Sequence, residues 1–392
     1  MTSAPLRLTH VTHWTLPSQE TATIQLVQTL SALAELGVAV ELLSPRPLLG
    51  RSRAPEVLLQ QLRAYYGPPC RFEARELPSR LPGLAGLSRV LHAGWAAAAT
   101  RGDRTDVVHT RELEAAWLCE RAGRRVVFES FRIWTRRSGL HRRQLLRLAA
   151  RRGFLGLVVH SRYAAECYVA DGFPEAKVRA IHNGFDPEPF AVPRTPPEAR
   201  RELGLPEAPT VVFLGVIAAH KRVDLLLDAA ERSPEIRWVL AGDPTLPEAL
   251  PLVERGRALS NVSFPGYVTG GRLALVLQAG EVLVIPPSAD PLQRFGRTVL
   301  PLKVFQYLAA GRPIVTGEVP DTAELLKQDH NCLRIPPDDV PALLESLRAL
   351  LRDPALRERL GSAARRDAAG LTWAARGQAL LAFLRERLHA AA

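Results

Sequence analysis

One lysine and one helix N-terminus stand where each could meet a phosphate. In TVVFLGVIAAHKRVDLLLDAA, residues 210–230, a strand ends at Gly215, a loop follows, and Lys221 opens a helix. An ammonium placed there can contact a diphosphate. In PLKVFQYLAAGRPIVT, residues 301–316, the spacing predicts a helix over Leu302–Ala310 that ends at Gly311. An irregular loop, 289–300, precedes it after the strand EVLVIPPS. Free backbone N–H groups and the positive end of the helix dipole suit a phosphate at that place.

Other polar residues invite weighing. Glu129 ends the run VVFES and reads either as a substrate contact or as a buried carboxylate paired with Arg132 or Arg111; with Lys221 it is the residue assigned to catalysis. His10, His13 and His109 lie on or just after strands and read as partly buried polar residues without a catalytic part. Glu324 reads as the cap of a helix N-terminus. Residues 132–152 hold eight arginines and no acid. On a helix Arg143, Arg147 and Arg151 would line one face, which could lie on an anionic membrane surface or an acidic polysaccharide. The plain alternative is a solvated helix in an arginine-rich chain.

Composition bounds these readings. The chain has 392 residues, 47% hydrophobic, which excludes wholesale disorder and allows two or three domains. No apolar run approaches a membrane span, and the start lacks the pattern of a signal peptide. The four cysteines are scattered without CxxC spacing, as expected in a reducing cytoplasm and not for structural zinc. Residues 1–190 hold 26 Lys+Arg against 17 Asp+Glu, which is +9 of the chain's +11. With 6% aromatics and no recognised module, nucleic-acid binding is not expected.

The elements that must position the lysines alternate β and α. Apolar runs predict strands at 6–12, 38–43, 107–110, 125–130, 155–160 and 178–182, then at 210–215, 237–241, 261–264, 282–285, 313–316 and 333–335. Leu26, Val27, Leu30, Leu33 and Ala34 share one face of a helix between the first two. Residues 191–209 carry five prolines and read as a linker. The expected architecture is therefore two Rossmann-like βαβ domains with mostly parallel sheets, 1–190 and 210–372, facing a central cleft, with a last helix in 373–392.

Taken in order, these segments resemble the family 4, group 1 glycosyltransferases of the GT-B fold. The resemblance rests on the Gly215–Lys221 stretch, VVHSRYAAECYVADGFPEAKVRAIHNGFDPEPF, VLAGDP with NVSFPGYV, PLKVFQYLAAGRPIV, TGEVPDTAELL, NCLRIPPDD and LTWAAR. It covers most of the chain and is looser in the first half. It implies a retaining transferase that moves a sugar from a nucleotide diphosphate donor to a saccharide or lipid-linked acceptor, located in the cytoplasm, free or at the inner membrane face, with no metal or other cofactor. The 1–190 domain would hold the acceptor, 210–372 the donor, and the 373–392 helix would cross back to the first domain.

Residue by residue, Lys221 matches the lysine on the donor diphosphate. Gly215 closes the strand, and Val216 stands where the family has an arginine. Gln306 matches the second glutamate of the family's ribose-holding pair, and Thr298 occupies the place of the first. Arg222, Arg297 and Lys303 are the basic residues that could compensate. Pro17 with Ser18, Gln19 and Glu20 replaces the glycine pair after the first strand and is assigned to donor or acceptor contact. Phe131 stands in place of a histidine. These departures motivate two rival readings: a noncatalytic GT-B-like binding subunit, and a peripheral polyanion- or membrane-binding protein.

Overall fold

The computed structural model describes residues 5–18, 20–67, 70–102, 104–286, 300–317 and 319–391. The chain forms two compact units, one of residues 1–183 with 373–392, the other of 184–372.

The first unit runs β1 (Arg7–Val11), α1 (Thr21–Glu35), β2 (Ala39–Pro47), α2 (Pro55–Tyr66), β3 (Glu73–Arg80), α3 (Ala85–Ala99), β4 (Val107–Thr110), α4 (Leu113–Arg121), β5 (Val126–Ser130), α5 (Gly139–Ala149), β6 (Phe154–Val159), α6 (Arg162–Ala170) and β7 (Val178–Ala180). The strands form one parallel sheet in the order β3-β2-β1-β4-β5-β6-β7. Its central strands are continuous apolar runs because helices cover both faces. The edge strand β3, EARELPSR, was not expected from the sequence. An edge position tolerates its charges and Pro78, which a central strand would not.

The second unit runs α7 (Pro196–Leu203), β8 (Thr210–Leu214), α8 (Val223–Glu231), β9 (Arg237–Ala241), α9 (Leu250–Arg257), β10 (Val262–Ser263), α10 (Gly270–Gln278), β11 (Val282–Ile285), α11 (Leu302–Ala310), β12 (Ile314–Gly317), α12 (Pro320–Ala323), β13 (Cys332–Ile335), α13 (Val340–Arg352) and α14 (Pro354–Ala368). Its parallel sheet has the order β10-β9-β8-β11-β12-β13. In both sheets the order reverses beside the unit's first strand, between β1 and β4 and between β8 and β11. At such a switch point the loops leaving the C-terminal ends diverge and leave room for a ligand.

The proline-rich segment 191–209 differs from the linker read in the sequence. It lies within the second unit and builds α7, whose prolines occupy the first helical turn and whose Thr195–Glu198 capping box closes the N-terminus. Ala199 is buried, Arg200 pairs with Glu281 and Glu207, and Arg312 donates to the Arg194 carbonyl at 2.5 Å. The last helix, α15 (Trp373–Ala390), belongs to the first unit and packs on α1.

Candidate functional site

At the switch point of the second unit, β8 ends and Gly215 follows, its N–H donating to the Ala241 carbonyl at 2.8 Å. Gly215 has φ +152° and no room for a side chain: a Cβ there would lie 2.7 Å from Lys303 Nζ. Gly242, just after β9, is required more strictly, since its Cβ would lie 2.1 Å from the Gly215 carbonyl oxygen. Two glycines thus let two strand ends and an ammonium approach one another.

Helix α11 delivers that ammonium. Its fully buried Tyr307 accepts from the Leu214 N–H at 2.8 Å and donates to the Val284 carbonyl at 3.2 Å, bridging β8 and β11. Burial pushes this phenol's pKa up, so it stays a hydroxyl that can do both. One turn earlier, Lys303 lies over the Phe213 ring, Nζ 4.1 Å from its centroid. Gln306, on the same helical face as Lys303, is half-buried. Desolvation by burial, then the like charge of Lys221, pulls the Lys303 ammonium down to about 7. The chain has only four lysines, and two of them meet here. A desolvated ammonium with a like charge for a neighbour is an arrangement that an anion would stabilise.

Other donor-site expectations fare differently. Val216 is exposed beside Gly215. Lys221 is exposed, in a short 3₁₀ turn, and the residue that caps α8 is Arg222, at φ +55°. The Arg222 guanidinium is held by Asp224 and Asp338, which commits it to that turn and not to a phosphate. Arg297 and Thr298 lie outside the described residues. Glu324 sits at the C-terminal end of α12, not at a helix N-terminus.

In the first unit, Glu129 is fully buried. Its Oε1 accepts from Arg111 at 2.5 Å, Arg376 at 2.8 Å and His160 at 2.7 Å, and its Oε2 lies 3.0 Å from His109. Burial raises this carboxyl, but the two arginines with the two histidines outweigh it and hold it well below the usual carboxylate range. The structure therefore corrects the catalytic expectation for Glu129: it is a wholly enclosed, compensated charge. Arg376 of α15 also donates to the Ile181 and His182 carbonyls and to Thr29, and so fastens the last helix to the sheet. His10 stacks edge-on against His109, with Nδ1 atoms 2.9 Å apart, and both are buried. His13 pairs with Glu112.

Ser18 is built into its turn, its N–H donating to Tyr66 and its hydroxyl accepting from the Glu20 N–H. Glu20 precedes α1 and is exposed, and Gln19 lies outside the described residues. The Phe131 ring is half-buried beneath the Arg132 guanidinium. The basic stripe is shorter than expected. Arg143 and Arg147 lie exposed on α5, whereas Arg151 falls beyond the helix end and pairs with Glu120. Among the described residues no group of three or more His, Cys, Asp or Glu is placed to hold a metal ion, and no helix is long and apolar enough to cross a membrane.

Comparison with known proteins adds the decisive observation. Residues 22–189 match the family described as Glycosyltransferase Family 4, and residues 208–353 match Glycosyl transferases group 1. The chain belongs to the group 1, family 4 glycosyltransferases. This glycosyltransferase is 28% identical over 195 residues to the alpha-D-kanosaminyltransferase of Streptomyces kanamyceticus, which covers 48% of each chain. It spans about half the length of the curated relatives it matches. Sucrose-phosphate synthase from Thermosynechococcus elongatus superposes with a TM-score of 0.77 at 18% identity, over 99% of this chain and 100% of that one. An Anabaena protein solved with UDP and glucose gives 0.73 at 16% identity, over 97% and 99%. The fold of this glycosyltransferase is GT-B, two Rossmann-like domains with parallel sheets.

Proposed function

We propose that this chain transfers a sugar from a nucleoside diphosphate sugar to a saccharide or lipid-linked acceptor. The observation that carries the reading is Lys303 lodged against the Gly215 backbone with the charge of Lys221 beside it. The diphosphate of the donor would bring two negative charges to these ammonium groups and to the first N–H groups of α11. Gln306, one turn on from Lys303, would accept from a ribose hydroxyl.

Chemistry then follows from charge. The bond between the anomeric carbon and the β-phosphate oxygen breaks, and its electrons stay on the phosphate. The acceptor oxygen bonds to the same carbon, and its proton passes to the departing phosphate. Lys221 and Lys303 stabilise the charge that grows on the leaving group; one such donor is worth roughly 2.7–4 kcal/mol of barrier. Both bonds lie on one face of the sugar, so configuration is retained. In this reading the two lysines do the work that a divalent cation does elsewhere, and no metal is required. Glu129 is excluded as a nucleophile by its enclosure among Arg111, Arg376 and His160. A product in the cell-envelope glycans or glycolipids suits the acceptor classes named.

A thermal-shift series with nucleoside diphosphates tests the donor site. A nucleotide at ~100 times its Kd stabilises by ~2.7 kcal/mol. The expected result is a shift with one base that Lys221→Ala or Lys303→Met removes. No shift with any nucleotide overturns the reading.

A further inference from the structure

Helix α3 is packed inside out. Its inward face buries His92, Ala93, Ala96 and Ala97, small residues apart from the histidine. Its large apolar residues Leu87, Val90 and Trp95, and Leu84 just before it, are roughly half exposed. A helix made only to cover a sheet does the opposite. Beside it, the Leu48 N–H donates to the Arg80 carbonyl at 3.0 Å, so the loop after β2 abuts the segment entering α3. That loop displays Leu49 at 99% exposure. Arg46 donates to the Pro47 and Gly50 carbonyls and stiffens it. Scattered single apolar residues on a surface are ordinary; several on one helix and on the loop beside its start point to an interface.

The charge around the patch selects the occupant. Residues 42–55 carry three arginines and no acid, and so do residues 77–102; of these Arg53 is committed to Glu76. Arg51 and Arg80 are exposed on the rim; Arg89 lies 3.7 Å from Glu114. A second copy of the chain, paired about a two-fold axis, would set this rim against itself, arginine toward arginine. An anionic surface has no such conflict. We infer that α3 and the 48–51 loop dock this chain onto a bilayer with anionic headgroups, Leu49, Leu84, Leu87 and Trp95 entering the acyl boundary and the arginines meeting the headgroups. The loop after β2 and the start of α3 lie at the C-terminal edge of the first sheet, the side on which open α/β sheets take ligands, so an acceptor anchored in lipid would arrive there.

The test is co-sedimentation of the full chain with vesicles of phosphatidylcholine alone or mixed with phosphatidylglycerol. Binding to the mixed vesicles, weakened by salt, is expected. Leu84→Asp with Leu87→Asp should lower that binding by about tenfold or more with Tm unchanged. Leu49→Asp, on a residue with no packing to lose, should lower it too and carries the test if the double variant unfolds. Arg143→Gln with Arg147→Gln on α5 should change it no more than about twofold. No binding to mixed vesicles overturns the inference, as does binding that survives both aspartate changes. So does a concentration-dependent dimer, seen by light scattering, that Leu87→Asp dissolves in a chain that ignores vesicles.

Discussion

Both sheets gather charge near the C-terminal ends of their strands, and they treat it in opposite ways. In the first unit Glu129 is surrounded by Arg111, Arg376, His109 and His160, which balance its charge within the fold. In the second, Lys303 is desolvated with another lysine as its near charge, and its pKa drops to about 7. A buried charge ringed by opposite charges is part of the scaffold; a desolvated ammonium beside a like charge gains from an anion. The contrast predicts that damage to the first cluster is felt as stability and damage to the second as binding.

The largest effect should come from Arg376→Met. It leaves Glu129 with one arginine and frees the Ile181 and His182 carbonyls that the guanidinium held. A loss of about 3–5 kcal/mol is expected, measured by urea unfolding of the first unit. Nucleotide affinity should not move. A variant of unchanged stability, or one of lowered affinity at unchanged stability, would break the comparison.

The histidines sharpen it. Burial lowers His92 and His160 to about 4 and lowers His10 in the same direction. Each stays neutral in the folded chain while the unfolded chain takes up its proton below about 6.5. Protonation of the unfolded state therefore draws stability away as pH falls from about 6.5 to about 4, and Glu129 extends the loss below the usual carboxylate range. Melting followed across this window should show the fall. His160→Gln, which keeps a donor for Glu129, should flatten it.

Lys303→Met comes next. Nucleotide affinity should drop about 10- to 100-fold, roughly 1.4–2.8 kcal/mol. The empty protein should gain about 1–2 kcal/mol, because a desolvated ammonium is replaced by an isosteric apolar chain. In the parent, the charged lysine binds the anion, so affinity should weaken as pH rises through about 7, at most about tenfold per unit. The variant should lack that slope. Lower affinity together with lower stability would mark Lys303 as scaffold.

How far the sequence showed this depends on the kind of interaction. Strands of continuous apolar residues and the glycine-ended helix α11 were legible because local pattern determines them. The edge strand β3 was not, since its charges and proline look like a loop. Gly215 and Lys221 stood out by position, and Lys303 was one of several basic candidates, which the rarity of lysine in an arginine-rich chain could have singled out. Gly242 matters through its close approach to Gly215, and Tyr307 and Arg376 through contacts to β8, β11 and Glu129, none of which any spacing in the chain encodes. Arg222 looked like a phosphate ligand until Asp338, far along the chain, was seen to hold it.

The smallest expected effect is the most pointed. Val216 occupies the position at which the family carries an arginine, and its side chain is exposed next to Gly215. An arginine there has space and no buried partner to displace. If the lysine pair is an anion site, Val216→Arg adds a third donor and should tighten nucleoside diphosphate binding about threefold to tenfold, with a steeper salt dependence. Stability should change by less than about 0.5 kcal/mol, since the position is on the surface. Set against Arg376→Met, it reverses both readouts: binding moves and stability does not. If Val216→Arg leaves affinity untouched while Lys303→Met lowers it, the diphosphate lies on the α11 side of Gly215, out of reach of residue 216, and the family's arginine was lost without consequence for this geometry.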